Sequence, residues 1–397
     1  MSANNNYKNN GFINLLKLSY SELTDENNKQ EIYLSRPEIC ALYQHTKTDE
    51  IIYGLHLKYF RRPQAYPIDL NKGFEEFIFR RQPNQVLNKV IKFILEANDN
   101  ILHPYNSSSA KVQIPMTNAD FEAQLVPEVG EPSLPSKRKL VLSQRGILAR
   151  LMLIPYRLRK SDYNNTTFYA TRYCGILHLS DNSERNGHTK NDTYHGKFEQ
   201  ICFSDDPDID PITDVPVDRN DLTFAIYRSN INEFDLIYSA EVSGVTSDQK
   251  IDDIHNLDEV NKCKFIKTKL MWTHESMRNN SKCMQWWAQS YLVNTNDICI
   301  GRKDRDGVLR TPVQVVKVKD LPKHQKWKPT ICIRSLDTLL TLIDETMFEV
   351  NCPYTVYEFN YDSYEGWLKL KIHSGKTTFS FLPEDYIKHC KDQTSSK

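Results

Sequence analysis

The densest group of oxygen ligands in this chain is Asp205, Asp206, Asp208 and Asp210. A calcium loop of the EF-hand kind also needs a glycine at its sharp turn and a terminal bidentate glutamate. Neither follows here, so the run reads as a solvated acidic loop. The nine cysteines (Cys40, Cys174, Cys202, Cys263, Cys283, Cys299, Cys332, Cys352 and Cys390) are odd in number, widely spread and without C-x-x-C spacing. They offer no clustered thiolates for zinc and are expected to be free thiols in a reducing compartment. Glycine is scarce, 13 in 397 residues, against a usual share of about 7%. Neither a P-loop nor a G-x-G-x-x-G dinucleotide fingerprint occurs. Adjacent Trp286 and Trp287 read as packing residues rather than base-stacking platforms. His195 reads as a surface or internally satisfied histidine.

The formal net charge is zero, from 51 Lys and Arg against 51 Asp and Glu, yet the sign alternates in blocks. Lys137 to Tyr173 holds nine basic residues and one acid. Asp181 to Glu259 holds 19 acids against six basic residues, and Val260 to Arg334 holds 16 basic residues against five acids. Two basic segments around an acidic one can line a groove for a phosphate backbone, with acids placed for metal ions. The alternative is plain solvated surface. The overall balance argues against a tight, nonspecific RNA binder and for affinity that is local and modest.

The elements that must position such groups are mostly strands. Runs rich in β-branched and aromatic residues cover Ile51 to Phe60, Thr167 to Leu179, Leu222 to Arg228, Phe234 to Val242, Val313 to Lys319 and Trp367 to His373. Several alternate with period two. Helical stripes are expected over residues 84–97, after Ser335 as N-cap (Leu336, Leu339, Leu340, Ile343), and over Met284 to Leu292. The mixture indicates an α+β domain, with central mixed or antiparallel β-sheets flanked by helices. One domain over residues 11–390 is expected, between a polar N-terminal tail (1–10) and a polar C-terminal tail (391–397). Residues 103–139, rich in Pro and Ser, form a candidate irregular insertion. No apolar run approaches the ~20 residues of a membrane-spanning helix, so no membrane partner is expected. Met1 to Asn10 has no apolar stretch of the kind a secretory signal carries.

Four ordered segments resemble the decapping exoribonuclease (DXO) family. They are Arg145-Gly146 followed by ILARLMLIPY, Tyr194-His195-Gly196-Lys197-Phe198-Glu199, Tyr238-Ser239-Ala240-Glu241-Val242-Ser243, and Lys264-Phe265-Ile266-Lys267-Thr268. Trp286-Trp287-Ala288-Gln289-Ser290-Tyr291-Leu292, Ile300 to Gly307 and Pro67 to Glu75 are also similar, so the resemblance runs from about Tyr59 to Asp306. It implies a DXO-like fold. It also implies RNA or phosphate contacts from Arg145, Lys267 and Gln289, and metal-binding roles for Glu199 and Glu241. In the family's second to fourth segments, a Gly-Φ-x-Φ-Glu, a Glu-Φ-Asp and a Glu-Φ-Lys motif hold Mg²⁺ for phosphoryl chemistry. Alternation on a strand sends both polar residues of the latter two to one face.

Here the pattern departs. Ser243 stands in the place of the third segment's aspartate, Phe265 in the place of the fourth segment's glutamate, and His195 in the place of the second segment's glycine. Glu199, Glu241, Lys267 and Gln289 are retained. Two carboxylates poorly balance two Mg²⁺ ions, so Glu199 and Glu241 are either weak, vestigial metal ligands or partners of Lys267 or Arg145. The resemblance then implies a catalytically inactive nuclear protein that needs no cofactor. It would bind or shield RNA 5′ ends, or scaffold a complex. Fungal family members bind the nuclear 5′–3′ exoribonuclease. The divergent insect member Cutoff acts with heterochromatin-bound partners to protect piRNA precursor transcripts from termination and processing. The alternative is an active Mg²⁺-dependent decapping, pyrophosphohydrolase and 5′–3′ exoribonuclease enzyme, with Asp248 or Asp252 replacing the missing ligands.

Overall fold

A computed structural model describes residues 11–17, 32–45, 51–53, 57–79, 87–96, 138–157, 166–181, 190–220, 222–278 and 281–395. The strands, in chain order, are β1 (Ile13–Lys17), β2 (Glu38–His45), β3 (Ile51–Tyr53), β4 (Tyr59–Phe60), β5 (Ile68–Asp69) and β6 (Lys139–Gln144). There follow β7 (Thr166–Tyr173), β8 (Ile176–Ser180), β9 (Phe203–Ser204), β10 (Thr223–Ile231), β11 (Phe234–Val242) and β12 (Gly244–Val245). The last six are β13 (Phe265–Trp272), β14 (Thr295–Lys303), β15 (Val308–Leu309), β16 (Gln314–Lys317), β17 (Val356–Asp362) and β18 (Trp367–His373). The described helices are α1 (Asn88–Glu96), α2 (Arg145–Leu153), α3 (Lys190–Cys202), α4 (Leu257–Lys262), α5 (Ser281–Tyr291), α6 (Pro329–Thr346) and α7 (Glu384–Ser395). The fold is mixed α+β, as the strand and helix patterns indicate.

Ten strands form the first sheet in the order β1-β18-β17-β7-β8-β6-β11-β10-β2-β3, antiparallel except where β6 runs parallel to β8 and β11. Period-two alternation decides its two faces. Tyr238, Ala240 and Val242 enter one core, with Tyr227, Leu151 of α2 and Leu339 of α6. Ile237, Ile226 and Phe224 enter the other, with Ile91 of α1 and Tyr386 of α7. Each such fully buried side chain contributes roughly 1.5–3 kcal/mol. The second sheet follows the order β5-β15-β14-β13-β12-β4-β9, with β16 also on β14. Parallel β13 and β14 need a crossover, which α5 provides. Phe198 of α3 packs against this sheet beside Ile266 and Leu309.

The two sheets meet where the chain passes from β11 into β12 through Ser243. Gly244 allows the crossing: a Cβ there would lie 2.4 Å from the Lys58 carbonyl oxygen and 2.7 Å from the Phe203 ring. Only glycine permits so close a backbone approach.

Several boundaries differ from the expected ones. Ile51 to Phe60 is not one strand; β3 and β4 belong to different sheets. Thr167 to Leu179 folds back as a hairpin, because Cys174 and Gly175 take left-handed φ values of 51° and 76°. Ser335 does not cap a helix. Pro329 at the first turn starts α6 earlier, and buried Ser335 donates its hydroxyl to the Leu151 carbonyl at 2.7 Å. The expected C-terminal tail is helical through Ser395. The tail at 1–10 and most of the 103–139 segment lie outside the described residues.

Candidate functional site

The crossing point gathers polar side chains from four directions. Along α3, His195 and Glu199 are one turn apart, on the same side of the helix. Ser243 donates its hydroxyl to Glu199 Oε1 at 3.0 Å. Arg219, from the segment before β10, donates one guanidinium nitrogen to Glu199 Oε2 and the other to Glu241 Oε1, the latter at 3.4 Å. Its backbone is pinned by the Arg219 N–H to Ile78 carbonyl bond at 3.0 Å. Its stem crosses α3 at Gly196, where a Cβ would lie 3.1 Å from Arg219 Cδ. The helix glycine sits one position after His195 and makes room for the arginine. His195 Nδ1 lies 3.6 Å from Glu199 Oε2, and Nε2 lies 3.0 Å from the Thr268 carbonyl oxygen, so this histidine is internally satisfied.

On the far side stand the β13 lysines. Gly244 pairs with Ile266, which brings the next residue, Lys267, against the end of β11. Its ammonium donates to the Glu241 carbonyl oxygen at 2.6 Å. Lys269, two residues on and on the same face, donates to the Gln289 side-chain oxygen on α5 at 3.2 Å. In the parallel β6–β11 pair Gln144 stands opposite Ser239, so Arg145, opening α2, emerges near Glu241. Arg145 Nη1 donates to the Gln289 carbonyl oxygen at 3.1 Å.

Burial disfavours charge on all these groups. It raises the Glu199 pKa, but His195, Arg219 and the Ser243 hydroxyl outweigh it and hold that carboxyl at about 2. Burial also lowers Arg219, and there the two carboxylates outweigh it and strengthen the charge. Burial, then neighbouring Arg145, brings Lys267 down to about 7 and Lys269 to about 8. Burial lowers Arg145 as well.

The structure brings together Arg145, Glu199, Glu241, Ser243, Lys267 and Gln289. It does not bring Phe265. That ring is 3% exposed in the main hydrophobic core. The β13 residue facing the acids is therefore Lys267, and the position that the resemblance assigned to a missing glutamate points into apolar packing. Trp286 and Trp287 are buried, as their packing reading holds. The Asp205 to Asp210 run lies on a loop where Lys250 donates to Asp206 at 2.9 Å. Sequence reasoning missed Arg219 and Lys269. Lys269 was legible from alternation with Lys267. Arg219 carried only the signal of being a rare cation in an acidic block.

Mg²⁺ takes six oxygen ligands, one or two of them free carboxylates from the protein and the rest waters or substrate phosphates. Here two carboxylates are available, both already held by Arg219, and an ammonium group stands beside them. Asp248 and Asp252 are exposed. Among the described residues, no group of three His, Cys, Asp or Glu side chains converges. These residues do not fit a divalent cation as they stand.

The family model described as RAI1-like PD-(D/E)XK nuclease matches residues 35–387, and this chain belongs to that family. The chain is 23% identical over 345 residues to the Drosophila melanogaster decapping and exoribonuclease protein Rai1, covering 83% of this chain and 85% of that protein. It is 27% identical over 119 residues to Drosophila melanogaster protein cutoff, covering 30% of this chain and 31% of that protein. Among solved structures, Candida albicans Rai1 in complex with pU5-Mn²⁺ is similar with a TM-score of 0.66 at 14% identity, over 91% of this chain and 96% of that one. Schizosaccharomyces pombe Rai1 in complex with 3′-FADP is similar with a TM-score of 0.60 at 18% identity, over 86% of this chain and 95% of that one. These likenesses establish the fold.

Proposed function

We propose that this chain is a non-hydrolysing RAI1-family protein of the nucleus that holds RNA 5′ ends and shields them within a transcript-processing complex. The observation that carries the reading is the Arg219 guanidinium, bridging Glu199 and Glu241. A metal-dependent nuclease keeps its carboxylates free to hold cations that activate water and stabilise the transferring phosphoryl group. In this chain those carboxylates are neutralised from within. Of the family's acid-x-lysine pair this chain keeps only the lysine, Lys267, with Phe265 in the acid's place, and Lys269 adds a cation on the same face. A second cation there repels a metal instead of binding it.

The partial likeness to protein cutoff supports a role in protecting nascent transcripts, such as piRNA precursors, with heterochromatin-bound partners. Docking to a nuclear 5′–3′ exoribonuclease is the other partner of this reading, and affinity purification from nuclei with mass spectrometry separates the two. The enzymatic test is nucleotide release from 5′-monophosphate and 5′-triphosphate RNA in Mg²⁺ or Mn²⁺. No release is expected. Turnover that disappears in Glu241→Ala overturns the proposal in favour of an active decapping exoribonuclease.

A further inference from the structure

Three of the nine large apolar side chains exposed among the described residues, Ile209, Ile212 and Val215, fall within seven positions. They belong to the strap that follows β9, where residues 205–218 hold six aspartates and no Lys or Arg. Helix α3 fixes the strap. The Lys197 ammonium donates to the Thr213 carbonyl oxygen at 2.8 Å, and the Gln200 amide to the Val215 carbonyl oxygen at 2.9 Å. A clustered apolar row left in water marks a contact surface, and holding it in place lowers the entropy cost of docking.

Matching chemistry lies across the same sheet. A cavity of about 410 Å³ beside β16 has Met277, Val316 and Leu321 as its apolar lining, with Arg278, Lys323 and His324 exposed around them. Residues 314–328 hold five lysines and one acid, Asp320, which pairs with Lys323 at 2.8 Å. Strand β16 pairs with β14, and β13, β12 and β4 stand between β14 and β9. Five strand spacings amount to roughly 24 Å. A strap pinned to α3 does not cross that distance, so it does not reach the cavity of its own chain.

We infer that the strap of one copy docks its Ile209, Ile212 and Val215 side chains into the β16 cavity of a second copy, so that the chain associates head to tail. The aspartates of the strap then face the lysines around the cavity, which steers the encounter and fixes which surface meets which. Strap and cavity are different surfaces, so the contact is heterologous. A pair of copies still presents one unused strap and one unused cavity, and further copies can add. A single strap buries less area than a standard interface, so the contact is a weak one, in the micromolar range.

The test is sedimentation velocity of the nuclease-treated full chain from about 1 to 100 µM. The average mass is expected to rise with concentration, with a dissociation constant about tenfold weaker in high salt than in low. Two double variants disable one surface each: Ile209→Ser with Ile212→Ser for the strap, and Lys319→Glu with Lys323→Glu for the cavity. All four residues are exposed, and thermal melting checks that each variant folds. Each variant alone is expected to stay monomeric. Mixed in equal amounts they are expected to form a dimer and nothing larger, because one brings an intact cavity and the other an intact strap. A wild type that stays monomeric throughout overturns the inference, as does a variant that self-associates or a mixture that does not. A monomeric wild type whose affinity for single-stranded RNA falls with Lys319→Glu and Lys323→Glu assigns the basic surface to nucleic acid instead.

Discussion

Two buried carboxylates in this protein are each held by cations, and the surroundings differ. Asp344 on α6 meets Arg172 at 2.6 Å and Lys139 at 2.9 Å, and Lys139 also meets Glu233 at 2.9 Å. Two acids and two cations close on themselves, tying α6 to β6 and β7. Glu199 is held by Arg219, Ser243 and His195, but its neighbourhood continues into Lys267, Lys269 and Arg145, which among the described residues form no ion pair with a carboxylate. A closed network serves the fold. An open one with surplus charge of one sign is prepared for something outside the chain.

The largest expected effect tests which residue on the Lys267 face of β13 belongs to the core and which to the site. Phe265→Glu places an acid in the apolar core and should destabilise the protein by about 4 kcal/mol or more in urea denaturation. A loss below about 1 kcal/mol would mean that the side chain can turn towards the acids. Next, Asp344→Ala should cost about 3 kcal/mol, because it leaves the largely buried Arg172 without its carboxylate, while Lys139 keeps Glu233. If Lys269→Gln costs as much, the open cluster is structural and the contrast between the two networks collapses.

Acid titration adds a third measure. His178 is fully buried, with Nε2 2.9 Å from the Tyr386 hydroxyl and Nδ1 3.3 Å from the Thr171 carbonyl oxygen. Burial lowers its pKa from 6.5 to about 4. The unfolded chain takes up this proton first, so stability falls as pH drops below about 6.5 and levels off near 4. The loss is on the order of 3 kcal/mol. Substituting His178 by Asn should flatten that part of the stability profile; an unchanged slope would assign the acid sensitivity elsewhere. The smallest expected effect is the most informative about the site. Ser243→Asp with Lys267→Glu should gain weak Mn²⁺ binding by titration calorimetry. Ser243→Asp with Phe265→Glu should gain none, and the reverse result would restore Phe265 to the site.

Much of this was legible in one dimension. Phe234–Val242 and Trp367–His373 match their sequence patterns residue for residue, because alternating apolar side chains suit strands with packed faces. The types of the site residues, and the departures at Ser243 and His195, were readable as well. The unevenly distributed charge behind a net zero was visible in the same way.

Local pattern fails where contacts are long-range. The run from Ile51 to Phe60 has strand propensity throughout, yet its two ends pair in different sheets. Phe265 and Lys267 lie on one face of β13, but only the Gly244–Ile266 register decides that the ring enters the core while the ammonium reaches Glu241. Arg219 belongs to no motif and arrives through a backbone bond to Ile78 and a gap over Gly196. Sequence by itself determined which elements form and which chemical groups they carry. The tertiary structure decided which charges neutralise one another and which remain uncompensated, because that depends on distances between segments far apart in the chain.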